Sequence, residues 1–137
     1  MSETAILSIY PEHVARIARR TKTHEFRKYL IGKEINTLLI YVTRPVSELK
    51  YIATIGSLVQ YPDQIKEEGH GNTEFNQGLK RAKFAYPILH LDEIVHGLSL
   101  TTLREKFSFF PPQRYVYAFR YPQLLKHVTT CEKKRLY

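Results

Sequence analysis

Residues 5–27 read AILSIYPEHVARIARRTKTHEFR, and this stretch predicts how the fold begins. Its first part, residues 5–10, is apolar enough for a short strand. Pro11 then suits the first position of a helix, where its missing N–H is not needed. The apolar positions of that helix recur at i, i+3 and i+4, at Val14, Ile17 and Ala18. Residues 22–31 alternate imperfectly, so we expect a helix over about 11–20 that abuts a strand over 22–31.

The rest of the chain alternates strand-like runs with turns. The runs with strand character are residues 37–43, 50–61, 83–91 and 111–119. Residues 62–78 predict a long loop, 98–104 a short capped helix, and 122–137 a helix or a frayed tail. Five or six short strands with two or three short helices predict an α+β fold, a small mixed barrel with helices at its ends. A length of 137 residues fits one domain, which we place at 1–120, followed by a basic helix or tail at 121–137.

Composition excludes several classes of protein. Hydrophobic residues make up 43% and charged residues 25%, as in ordinary globular proteins and unlike disordered or fibrous chains. No apolar run is long enough for a membrane span, and the N-terminus lacks the pattern of a secretory signal. Cys131 is the only cysteine, so an internal disulfide is impossible. We therefore expect an intracellular protein of the cytoplasm or nucleus that does not bind a membrane.

The charge is strongly positive and unevenly distributed. There are 21 Lys and Arg residues against 13 Asp and Glu, a formal net charge of +8. Residues 16–33 alone hold seven bases and one acid, Glu25. A second basic cluster ends the chain at residues 133–135. Clustering of this kind is typical of proteins that bind polyanions, most often nucleic acid, although a basic soluble surface alone would look the same.

Motifs for cofactors, metals and nucleophilic catalysis do not occur in the sequence. The six histidines show no pair with ligand spacing on a helix, and no CxxC exists. Gly69-His70-Gly71 does not continue as a dinucleotide-binding fingerprint. We therefore expect no metal and no cofactor.

Residues 22–27, KTHEFR, carry the most informative local pattern. In a strand, Glu25 and Arg27 share one face, and Phe26 takes the other face and enters the core. A carboxylate flanked by Lys22 and Arg27 stays ionised, and the three groups can orient a base edge, a phosphate or a catalytic water. The alternative is a surface salt bridge worth at most about 1 kcal/mol.

Several segments in the same order resemble ASCH domains, a branch of the PUA-like superfamily. Ser8-Ile9-Tyr10-Pro11, a helix and then residues 22–27 resemble the opening of that domain. Residues 40–46, IYVTRPV, and 111–115, PPQRY, resemble its second strand and its closing segment in a compact group described as predicted transcriptional regulators. The resemblance spans about residues 5–119. One departure is Arg20, since the family usually has glycine there, and Arg20 implies a different turn or mild strain.

This resemblance implies a PUA-like pseudo-barrel of five or six strands with a cleft between the first helix and the barrel. The superfamily uses that cleft for RNA, modified bases or nucleotide-like ligands. Carried over by position, the cleft residues are Lys22, Glu25, Arg27, Tyr41, Thr43, Gln113 and Tyr115. The tyrosines would stack on bases, or else pack in the core with their hydroxyl groups bonded.

Three functions stay open from the sequence. The first is a module that binds RNA or another single-stranded nucleic acid, with backbone contacts from Arg16, Arg19, Arg20, Lys28 and Lys33. The second is a hydrolase that resembles ASCH ribonucleases or amidohydrolases of modified nucleosides. Glu25 stands where the amidohydrolases have a threonine nucleophile, which argues against that activity and leaves RNA cleavage through Lys22 and Tyr41. The third is an adaptor with a vestigial cleft. The catalytic residues and the oligomeric state are left open.

Overall fold

The structure is a computed structural model that describes residues 4–32 and 34–137. In this part of the chain, eight strands form one mixed sheet, curled into a half-barrel, with four α-helices around it. The strands are β1 (Thr4–Ile9), β2 (His24–Arg27), β3 (Thr37–Val42), β4 (Glu48–Ile55), β5 (Val59–Gln60), β6 (Phe84–Ser99), β7 (Tyr115–Tyr117) and β8 (Lys133–Arg135). The helices are α1 (Pro11–Ala18), α2 (Asn72–Asn76), α3 (Leu100–Phe107) and α4 (Pro122–Thr130). The predicted α+β class is confirmed.

The long strand β6 organises the sheet. The strand order is β2-β6-β4-β3-β1-β7, and β5 and β8 also pair with β6. All pairs are antiparallel except β1 with β3. A straight strand of the 16 residues in β6 would span roughly 50 Å. Register shifts against β4, at Leu49/Tyr51 and Thr54/Ile55, let β6 curl so that it pairs with four partners.

Alternation along β3 divides the interior into two cores. Leu38, Ile40 and Val42 point into the barrel, where they join the stripe of α1 in one apolar cluster. Leu39 and Tyr41 point to the opposite face, where α3 and α4 cover the sheet. The sheet is therefore buried on both faces at β3, and this explains why the segment is apolar almost without interruption.

The beginning of the chain folds in the predicted order. Val14 and Ile17 are buried against the barrel core, and α1 ends at Ala18, close to the expected boundary. Arg20 adopts φ +64°, in the left-handed region that favours glycine. This confirms the mild strain expected there. Its guanidinium lies 4.5 Å from the ring centroid of Tyr137, a cation–π contact with the end of the chain.

Several predicted boundaries differ from the structure. The strand expected at 22–31 is only β2, and the one at 50–61 is two strands, β4 and β5, separated at Gly56. The run at 83–91 continues to Ser99 as β6, because pairing with β4 and β8 persists beyond the turn that was expected there. These extra and longer strands explain why the described sheet exceeds the predicted five or six strands.

The remaining differences concern the loop and the second half of the chain. The loop at 62–78 contains α2, and the short helix at 98–104 is α3, which Ser99 caps by accepting a hydrogen bond from the Thr102 N–H. The strand expected at 111–119 is the shorter β7, followed by a 3₁₀ turn at Ala118–Arg120. Residues 121–137, expected as a helix or tail, form α4 and β8, which pack onto the same sheet as the rest of the chain.

Two leucines on β6 test the assignment of its faces. Leu91 is fully buried in the barrel core, whereas Leu89 is 51% exposed. Leu91→Ala should lower the free energy of unfolding by about 2–5 kcal/mol because it leaves a cavity. Leu89→Ala should change it by less than about 0.5 kcal/mol. Urea denaturation measures both, and equal effects would contradict the burial described for these two residues.

Candidate nucleic-acid interface

A buried ion-pair network lies at the start of β2. The carboxylate of Glu25 lies between two cations, with Oε1 3.2 Å from Nζ of Lys22 and Oε2 2.7 Å from an Nη of Arg27. Lys22 and Glu25 are each only 4% exposed. The strand geometry predicted for residues 22–27 explains the arrangement, because Glu25 and Arg27 are two residues apart and share a face. The network is buried, so it is not the surface salt bridge of the alternative interpretation.

The two cations respond differently to this environment. Burial lowers the pKa of Lys22, and Glu25 opposes that change. Burial would also lower the pKa of Arg27, but Glu25 and Tyr29 outweigh it and the pKa is raised. Arg27 therefore keeps its charge, whereas burial favours the neutral form of Lys22 more than water does.

The network forms the floor of a cleft with a volume of about 280 Å³ between α1 and the barrel. The residues that line the cleft are Ile9, Tyr10, His13, Lys22, Glu25, Phe26, Arg27 and Lys80. Tyr10 stands at the rim with 64% of its surface exposed. Phe26 packs on Phe75 at 5.6 Å between ring centroids, and Nζ of Lys80 lies 4.6 Å from the Phe26 centroid. The cleft combines aromatic surface with charge.

Unpaired polar atoms are present in the cleft walls. Within residues 4–32 and 34–137, Nε of Arg27 and Nδ1 of His13 are buried and have no hydrogen-bond partner. Buried polar groups normally have hydrogen-bond partners, so a ligand or water that enters the cleft can supply the missing hydrogen bonds. The cleft therefore offers a hydrogen-bonding edge as well as a charged floor.

The sequence interpretation missed two histidines that lie together. The His13 and His70 ring centroids are 6.4 Å apart. Burial lowers the pKa of both, and Lys22 adds to the effect on His13 and Arg16 to that on His70. His13 could have been found, since it lies three positions after Tyr10 on one helix face. His70 and Lys80 could not, because the loop that brings them carries no periodic pattern.

The structure does not bring all the predicted cleft residues together. Tyr41 is 4% exposed and lies in the core beneath α3 and α4, on the other face of β3. The Thr43 N–H donates to the Ile9 carbonyl at 3.1 Å, so Thr43 lies beside the cleft wall. Gln113 is exposed in the turn before β7, and the Tyr115 ring stacks on Tyr29 at 5.8 Å. Of the predicted cleft residues, Lys22, Glu25 and Arg27 line the cleft, and the other four do not.

The predicted basic patch is split between two places. Arg16, Arg19 and Arg20 lie at and just beyond the end of α1. Lys28 is exposed just after β2, where it lines a different cavity from the cleft. Lys33 is outside the described residues. The described residues of the patch are therefore divided between the end of α1 and the segment that follows β2.

Known proteins resemble this chain in structure but not in sequence. No protein-family model matches the chain, and no curated protein sequence matches it. Among solved structures, the crystal structure of ASCH from Zymomonas mobilis is similar over 96% of this chain and 98% of that chain, with a TM-score of 0.71 and 23% sequence identity. The chain has the ASCH fold. Two variants of the same Zymomonas mobilis protein agree, a Tyr-to-Phe variant (22% identity, 95% and 99% coverage, TM-score 0.72) and a Ser-to-Ala variant (24%, 96% and 98%, 0.68).

The ASCH fold was expected from the sequence, and this expectation is confirmed. The similarity covers nearly the whole length of both chains. No helix in the described residues is long and apolar enough to cross a membrane.

Replacing Glu25 tests the ion-pair network. Glu25→Gln leaves two buried cations without their counter-ion and should lower the free energy of unfolding at pH 7 by about 3–5 kcal/mol. The loss of Glu25 also lowers the pKa of Lys22 further, so the unfolded chain binds more protons at this site than the folded one. Stability of the variant then rises with pH, and its deficit should shrink by up to about 1.4 kcal/mol per pH unit between pH 7 and pH 10.

Urea denaturation across that pH range measures the effect. The exposed Glu105→Gln is the matched control and should change stability by less than about 0.5 kcal/mol. A Glu25→Gln deficit that stays constant from pH 7 to pH 10 would show that Lys22 is not coupled to Glu25.

Proposed function

We propose that the protein binds single-stranded RNA and seats one base or nucleotide in the cleft above the Lys22–Glu25–Arg27 network. The observation that carries this proposal is the buried carboxylate held between two cations at the floor of an open cleft. The orientation of these groups is determined by the fold, so a ligand meets preorganised donors and acceptors.

The cleft chemistry suits a nucleobase. A base presents amino donors and carbonyl or ring-nitrogen acceptors on one edge. The carboxylate of Glu25 accepts hydrogen bonds, and Nε of Arg27 and the ammonium of Lys22 donate them. Phe26 and the exposed Tyr10 provide aromatic surface, and stacking on such rings is worth roughly 1–3 kcal/mol per base.

Charge around the cleft suits a polyanion. The chain carries +8, and three cations, Lys22, Arg27 and Lys80, line the cleft together with Glu25. Contacts with the phosphate backbone dominate the affinity of proteins for nucleic acid, and basic side chains near the site make those contacts. The ASCH fold supports the same function at the level of an RNA-binding module.

RNA cleavage through Lys22 and Tyr41 gains no support from their positions. Lys22 lines the cleft, whereas Tyr41 is buried on the far face of β3 beneath α3 and α4. A general acid and a general base must both reach the reacting group. Binding is therefore the function that the geometry supports best.

Salt titration of RNA binding tests the proposal. Each phosphate contact on a single strand contributes about −0.7 to the slope of log affinity against log salt. Three or four contacts should give a slope of about −2 to −3 for a short oligouridine, measured by fluorescence anisotropy. Arg16→Ala with Arg19→Ala should flatten the slope by about 1.4 and weaken all base sequences alike.

The control removes two positive charges elsewhere. Lys106 of α3 and Lys126 of α4 are exposed on the helices that cover the other core. Lys106→Ala with Lys126→Ala should leave the slope nearly unchanged. Absence of RNA binding at both low and physiological salt, or binding that does not depend on salt, would refute the proposed function.

A further inference from the structure

Three cavities join along one side of the molecule. The cleft adjoins a cavity of about 570 Å³, and the two share Phe26 and Arg27 in their walls. That cavity adjoins a third, of about 400 Å³, and these two share Arg114. The shared residues place the three cavities next to one another in a row, called the groove below, that runs from α1, across the end of β2, to the edge strand β7.

Aromatic rings follow the far half of this groove. Tyr29 and Tyr115 are stacked with ring centroids 5.8 Å apart, and Tyr117 and Phe119 are stacked at 5.5 Å. Tyr115 and Tyr117 meet edge to face at 5.6 Å, so the four rings form a continuous row. Phe119 at its end is 51% exposed. Tyr29, Tyr115 and Tyr117 also pack against the barrel core, so their partly exposed rings are held in place beside the cavities.

The same half of the groove is positively charged. Lys28, Arg114 and Arg120 line it and are exposed, and none of the described residues that line the second and third cavities is acidic. The Arg114 guanidinium lies 4.2 Å from the Tyr29 ring centroid, and this contact holds a cation beside the aromatic row. Proteins that bind single-stranded nucleic acid combine a cationic groove with aromatic rings. The phosphates contact the basic side chains, and the nucleobases stack on the rings.

A hydrogen bond connects the groove to the cleft. An Nη of Arg27, the guanidinium that pairs with Glu25, donates to the Tyr29 hydroxyl at 3.2 Å. Tyr29 in turn stacks on Tyr115. The residue that would contact the base in the cleft therefore also positions the first ring of the row.

From this continuity we infer that a single RNA strand lies along the groove, with one nucleotide in the cleft and its neighbours stacked toward Tyr117 and Phe119. The inference rests on the proposed RNA binding and adds the path of the strand. A polypeptide added to the edge of β7 fits less well, because β7 offers only three residues of backbone and the groove walls are cationic.

The test compares a mononucleotide with oligomers of increasing length. Uridine monophosphate and oligouridines of two to eight nucleotides are titrated against the full chain by calorimetry or anisotropy. Affinity should rise with length and level off at about four nucleotides or more. Arg114→Ala with Arg120→Ala should weaken the oligomers about tenfold and flatten their salt slope by about 1.4, with the mononucleotide affinity unchanged.

Two further variants sharpen the result. Lys106→Ala with Lys126→Ala removes the same charge outside the groove and should weaken the oligomers far less. Phe119→Ala removes an exposed ring without removing charge, so it should weaken oligomers and leave their salt slope unchanged. Thermal denaturation confirms that each variant is folded, and oligothymidine of equal length shows whether the ribose hydroxyl contributes.

The outcomes separate the two proposals. The strand path would be overturned if the Arg114/Arg120 and Lys106/Lys126 double variants weakened oligouridine binding equally. It would also be overturned if oligomers bound no better than the mononucleotide. Either result would leave the proposed function of the cleft standing. A chain that binds neither the mononucleotide nor any oligomer would overturn the proposed function itself.

Discussion

The position of the Glu25 carboxylate between Lys22 and Arg27 is the constraint on which the site depends. Three charged side chains at low exposure carry a large desolvation cost, which only close mutual pairing offsets. Arg27 also donates to the Ser8 carbonyl at 3.2 Å, which ties β2 to β1. The network is therefore both part of the fold and the floor of the cleft.

This double role limits how the site can vary. A substitution of Glu25 removes a hydrogen-bonding group for a ligand and also leaves buried cations unpaired, so stability and binding change together. Arg114 and Arg120 lie outside this constraint because they are exposed at the far end of the groove. Residues at the cleft floor are thus held by the core, whereas the exposed residues along the groove can be changed without leaving a buried charge unpaired.

The sequence by itself predicts the first half of the fold well. The strand, the amphipathic helix and β2 follow from local periodicity and from Pro11, and the ion-pair partners follow from spacing within one short strand. These features depend on neighbours within a few residues, so the sequence contains the information needed to find them.

Contacts distant in sequence were decided only by the tertiary structure. Tyr41 has the same alternating pattern whether it faces the cleft or the second core, and only the packing of α3 and α4 assigns it to the core. An aperiodic loop brings Lys80 to the cleft and His70 to His13, and Arg114 meets Tyr29 because β7 closes the sheet beside β1. Sequence periodicity states which residues share a face, whereas strand order determines what that face meets.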